Sequence, residues 1–164
     1  MVNEADFNQV TVGKIAQSAM INRQTFYYHY QDKYDLTEKM IAEFAADYDQ
    51  VFYQKMIQGQ SKKTDLTSRI AVLFPQVNSF WADNRERIAA LFSIQFNHHS
   101  LQNELKKRFE TYLLGSLQRE PLPLEKRIYP AIIITVIEYI VDTGKIPTQA
   151  ELTETFAKLA NVFE

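Results

Sequence analysis

Residues 11–36 read TVGKIAQSAMINRQTFYYHYQDKYDL. Two short segments in it each open on a residue suited to cap a helix. Thr11 precedes Ile15, Ala16 and Ala19, and Asn22 precedes Arg23 to Tyr30; a side-chain oxygen at either position can accept from the unpaired N–H groups of a first turn. Helices of about eight residues do not hold alone. Two of them joined by a tight turn have the size and spacing of a helix-turn-helix. At about 100° per residue, Phe26 and Tyr30 share the face that turns inward, Gln24 and Tyr28 lie opposite, and Thr25 and Tyr27 flank them. Arg23, Gln24 and Tyr28, outward in the first two turns, suit base edges in a major groove. The hydroxyls of Thr25 and Tyr27 and the ammonium of Lys33 suit phosphates.

Outward from this stretch the chain reads as all-α. It has four Gly and five Pro in 164 residues, and its apolar residues recur at three-to-four spacing. Met40, Ile41, Phe44, Ala45, Tyr48, Val51 and Phe52 mark a long helix from Leu36, with Asp35 and Glu38 as cap and third helical residue and Gly59 as its stop. Further helices are expected from about Asp65 to Trp81, broken at Pro75, then over Ile88 to Phe96 and Leu101 to Leu117. The Ile- and Val-rich segment Glu125 to Asp142 favours strand by composition. Helix is preferred, because the run is about eighteen residues long, has no strand partner, and ends in Gly144 and Pro147. Thr148 and Glu151 form a capping-box signature before a last stripe of Leu152, Phe156, Leu159 and Phe163.

Composition excludes several classes of function. There is no cysteine, so disulfides and thiolate chemistry are out, and a reducing, cytoplasmic setting is expected. No apolar run approaches the roughly 18–20 residues of a membrane span. Neither a Ser-His-Asp arrangement, a Gly-rich phosphate loop nor a His-Glu-x-x-His occurs, so no enzyme, cofactor or metal is expected. The net charge of −2 and pI near 5.9 mean that any attraction to DNA is local.

The pattern Thr11, Ile15-Ala16, Ala19, a short turn, Thr25-Phe26-Tyr27, an aromatic, then Lys33-x-x-Leu36 resembles the TetR family of bacterial regulators. The resemblance covers about the first forty residues. It implies a helix-turn-helix module over residues 1–35, followed over residues 36–164 by a larger TetR-like helical domain for ligand binding and dimerisation. By the same resemblance Thr11, Thr25, Tyr27 and Lys33 meet phosphates with His29 near the backbone, and Arg23, Gln24 and Tyr28 sit where bases are read. The implied partners are a double-stranded DNA operator, a second copy of the chain, and a small-molecule effector or protein co-regulator. The Arg-Gln-Thr-Phe-Tyr run is similar to a branch that includes activators of dihydroxyacetone kinase operons.

Two departures from the family pattern stand out. Met20 occupies the turn position usually held by Gly. Only ten residues precede Thr11, where the family has a first helix of about twenty, and the segment to Lys39 carries four cations against five acids. A late start codon or a trimmed chain is expected, with Phe7, Val10, Ile15 and Phe26 losing part of their packing; codons upstream of Met1 would test it. The alternative reading is a helical module that binds a protein partner and has a front end degenerate for DNA.

Further along, Tyr48, Phe52, Phe74, Trp81, Phe92 and Phe96 either line an effector cavity or fill a core. A helix apolar nearly all round is buried on more than one side. That places Ile133, Ile137 and Ile140, with Phe156, Leu159 and Phe163, in an expected four-helix dimer interface.

Overall fold

The computed structural model describes residues 7–58, 77–94, 96, 99–114 and 119–161. Those residues are all-α. A single 3₁₀ turn, Phe7–Gln9, leads into α1 (Val12–Ser18) and α2 (Arg23–His29), followed by α3 (Lys33–Gln58), α4 (Asn78–Asp83), α5 (Arg85–Phe92), α6 (Leu101–Phe109), α7 (Glu125–Thr143) and α8 (Gln149–Asn161). The last turn of α6 widens into a π-helical turn at Glu110–Leu114.

The caps explain the two short helices. Thr11 Oγ1 accepts from the Lys14 N–H at 3.3 Å, and Asn22 Oδ1 accepts from the Thr25 N–H at 2.7 Å. Between them α1 ends in a Schellman turn. The Ile21 N–H reaches Ala16 O at 2.9 Å and the Met20 N–H reaches Gln17 O at 3.1 Å. Met20 takes the left-handed conformation this needs, with φ of 55°, and its side chain is 93% exposed. The strained backbone is kept although no glycine is there to relieve it. Met20→Gly is therefore expected to raise stability by about 0.5–1 kcal/mol, the relief of strain exceeding the extra unfolded-state freedom, read as a higher urea midpoint at unchanged slope.

α3 starts three residues earlier than its apolar pattern suggests. Asp32, not Asp35, is the cap, its Oδ1 accepting from the N–H groups of Tyr34 (2.8 Å) and Asp35 (2.9 Å). The Asp35 carboxylate turns back to accept from the Gln31 N–H at 2.8 Å, and that bond, with Lys39 beside it, holds its carboxyl below the usual range. The expected module boundary at residue 35 thus falls inside one continuous helix.

The main core gathers Ile41, Phe44, Tyr48 and Phe52 of α3 with Phe80, Trp81, Ile88, Leu91, Leu101, Leu105 and Phe109. Tyr48 is its hub: ring centroids of Phe52, Phe109 and Trp81 lie at 4.9, 5.5 and 5.6 Å. α7 closes this core. Ile133, Ile137 and Ile140, expected at a dimer interface, are at most 1% exposed and lie inside the protomer's own core, because their spacing makes the inner face of α7. Phe156 packs against the same core, and Leu159 is 50% exposed. Phe163 and Phe74 lie outside the described residues.

α7 and α8 keep the predicted ends. Gly144 stops α7 in the left-handed conformation at φ 68°, its N–H on Ile140 O. Arg85 of α5 donates to Val141 O at 2.8 Å, tying that end to the core. Pro130, expected to begin or kink the helix, lies buried within it. Thr148 and Glu151 exchange bonds as a capping box, the Thr148 N–H on the Glu151 carboxylate at 2.7 Å and the Glu151 N–H on Thr148 Oγ1 at 3.2 Å.

Candidate nucleic-acid interface

The outward face of α2 is built on one anchor. Phe26 is 1% exposed and holds the helix down, with Tyr30 half-buried beside it at 5.3 Å between ring centroids. Gln24, Thr25 and His29 are exposed, Tyr27 is 57% exposed and Tyr28 is 85% exposed. The division of rings into anchors and outward groups follows the helical wheel. Tyr27 leans its ring edge-on against Phe26, and Tyr28 rests edge-on against His29, so both hydroxyls project from supported rings.

The hydroxyls are differently prepared. Thr11 Oγ1 accepts from the Lys14 N–H, which leaves its hydrogen to be given outward. Thr25 gives its hydroxyl hydrogen to Asn22 Oδ1 at 3.1 Å, and must release it to donate to a phosphate. Arg23, exposed at the start of α2, lays its guanidinium back over Gly13 of α1.

Lys33, expected at a phosphate, is used inside the protein instead. Its ammonium donates to three carbonyls, Phe7 O at 2.8 Å, Val10 O at 3.0 Å and Asn8 O at 3.2 Å, and stands over the Phe7 ring at 4.7 Å and the Tyr34 ring at 5.2 Å. An ammonium has three hydrogens, and here all three are taken. Lys39 is similarly committed, to His29 O at 3.0 Å and to Asp35 at 3.2 Å.

The module is seated on the rest of the protein by a second apolar cluster of Phe7, Val10 and Ile94, with Ile15 and Phe96 against it. Phe96 stacks on Phe7 at 5.7 Å and approaches Tyr34 at 5.1 Å. It therefore does not join Tyr48 and Trp81, as an effector-pocket role would require, and α5 ends at Phe92 rather than running through it. Of the four residues expected to have lost packing, Phe7, Val10 and Phe26 are at most 8% exposed and Ile15 is half-buried. His99 Nδ1, at 2.8 Å from Glu38, adds a polar tie between α3 and the start of α6. This seat joins residues too far apart in sequence to be foreseen from local pattern; the aromatic run gives no hint of Phe96.

Residues 1–40 match the family model for bacterial regulatory proteins, tetR family. Neither the curated proteins nor the solved structures hold a match to the chain. The tetR-family match spans α1, α2 and the first turns of α3, which are the elements that carry the outward face just described. The front of the chain is thus a helix-turn-helix similar to that of the tetR family, and the body behind it is all-α among the described residues. Among the described residues no helix is long and apolar enough to cross a membrane, and no group of three or more His, Cys, Asp or Glu is placed to hold a metal ion.

Proposed function

We propose that this chain is a transcriptional regulator of the tetR type, a dimer that reads a palindromic DNA operator under the control of an effector or partner, and not an enzyme. One observation carries the reading. Within the matched segment, α2 is pinned by Phe26 and presents Gln24 and Tyr28 fully outward from its first two turns, where a recognition helix meets base edges. The phosphate set is Thr11, Thr25, Tyr27 and His29 around it. Two such helices in a dimer would meet half-sites about one DNA turn apart.

The exposed side chains Ile128 and Tyr139 of α7 and Leu159 of α8 support an outer dimer face. A groove of about 370 Å³ runs between these helices, lined in part by Thr135, Tyr139, Pro147 and Leu152. An effector site around Tyr48, Phe52, Trp81 and Phe92 is supported by the Tyr48 hydroxyl, which is buried without a hydrogen-bond partner among the described residues. Burial pushes its ionisation well above the ordinary tyrosine range, so it stays a neutral donor. A protein co-regulator, as in the kinase-operon branch, is the second reading. It is favoured by Leu122 and Leu124, which are 62% and 64% exposed.

Selection from a randomised duplex pool tests the reading. The wild-type chain is expected to enrich a two-fold symmetric sequence, and Gln24→Ala and Tyr28→Ala each to lose about 1–3 kcal/mol of discrimination at particular base pairs. Enrichment of no sequence would overturn it.

A further inference from the structure

We infer that Gly13 is a positioning residue for Arg23, and that the guanidinium it admits grips a backbone phosphate rather than a base. The inference rests on the DNA-binding reading above and assigns Arg23 a role different from the base-reading one its sequence position suggests.

Arg23 begins α2, yet its side chain runs back across α1. A Cβ at Gly13 would stand 2.5 Å from Nη2, 3.1 Å from Cζ and 3.2 Å from Nε of Arg23. Three atoms of the guanidinium group are therefore laid against the bare Cα. Gly13 lies inside α1, and its φ is not positive, so the backbone does not call for glycine there. Within a helix, glycine is a poorer former than alanine. What it supplies in return is room for the guanidinium.

The place it makes is on the backbone side of the module. In a helix-turn-helix the first helix crosses the DNA backbone while the second enters the groove. Arg23 thus carries its charge from the groove helix back to Gly13, in the first turn of the helix that crosses the backbone. Among the cations of this region, Lys33 is held by three carbonyls and Lys39 by Asp35 and His29 O. Arg23 makes no ion pair among the described residues. Its planar donor fork suits two oxygens of one phosphate. Base reading is left to Gln24 and Tyr28.

The test uses the full chain and a duplex enriched by the wild type from a randomised pool, together with that duplex's single-base-pair variants. Affinities of wild type, R23Q, G13A and G13A/R23Q are measured over a series of salt concentrations. R23Q and G13A are each expected to weaken binding by one common factor across all the duplexes and to lower the salt slope by about 0.9 for each phosphate no longer held. The double variant is expected to match R23Q, because Gly13 acts through Arg23. G13A is expected to melt no lower than wild type, since the clash is with the movable tip of a side chain and the helix gains a better former. A purely structural role for Gly13 would instead lower the melting temperature and leave the slope alone.

Loss of preference at one base pair in R23Q would make Arg23 a base reader and overturn the proposal. Wild-type affinity and slope in G13A would overturn the positioning role. If the wild type enriches no sequence and binds no duplex, the DNA-binding reading itself falls, and this inference with it.

Discussion

Lys33→Met is expected to destabilise the protein by roughly 2–4 kcal/mol while leaving the salt dependence of DNA binding unchanged. The ammonium is the common partner of Phe7 O, Asn8 O and Val10 O, and it is half-buried against two aromatic rings. Hydrogen bonds from a charged donor contribute about 1.5–3 kcal/mol each when taken singly, and three on one atom are not additive. Methionine keeps the stem and its packing on Phe7 but leaves the part-buried carbonyls without that donor. Lys33→Arg should recover little, because a planar fork cannot converge on three carbonyls as a tetrahedral ammonium does. Urea unfolding followed by far-UV circular dichroism gives the first number, and duplex binding over a salt series gives the second. A lysine that neutralised a phosphate would show the opposite pattern on substitution, near-normal stability with a slope lower by about 0.9.

The difference between the expected and observed roles of Lys33 shows what a sequence can carry. Caps are local and therefore mostly legible, Asp32 in place of Asp35 being the exception: Thr11, Asn22, the Thr148–Glu151 box and the Gly144 stop all act within a few residues of the groups they satisfy. The split of the α2 aromatics is legible for the same reason, since one helix wheel decides it. Even the strain at Met20 can be anticipated, because the turn dictates a left-handed residue whatever occupies it. Lys33 is not legible in this way. Its partners lie 23 to 26 residues earlier, and an exposed-looking lysine after a recognition helix reads as a phosphate ligand until the backbone of Phe7–Val10 is seen folded over it. Gly13 offers a faint signal, a glycine inside a helix, but only Arg23 lying on it says why. By period Phe96 belongs with the effector aromatics. Its real neighbours, Phe7 and Tyr34, come from the far end of the chain.

The same limit governs α7 and yields the second large effect. A helix rich in Ile and Val on all sides announces burial on more than one side, but not which side is the protomer's own. Here Ile133, Ile137 and Ile140 are interior, in one core with Leu101, Leu105 and Phe109 of α6. Ile137→Ala is accordingly expected to cost about 2–5 kcal/mol, the transfer of the lost methylenes plus the cavity they leave. The loss should be the same at every protein concentration, since no association step is involved. An interface residue behaves otherwise, because the stability of a dimer depends on protomer concentration. The complementary variant is Tyr139→Glu, on the outer face of α7, where the native side chain is 44% exposed. It should leave the monomer's unfolding free energy within about 0.5 kcal/mol of wild type. If the outer face of α7 and α8 is where two copies meet, the same variant shifts the mass measured by light scattering toward the monomer, and Ile137→Ala does not do so under conditions where it remains folded. A concentration-dependent loss in Ile137→Ala, with no change of mass in Tyr139→Glu, would return the interface to the inner face and contradict the packing described above.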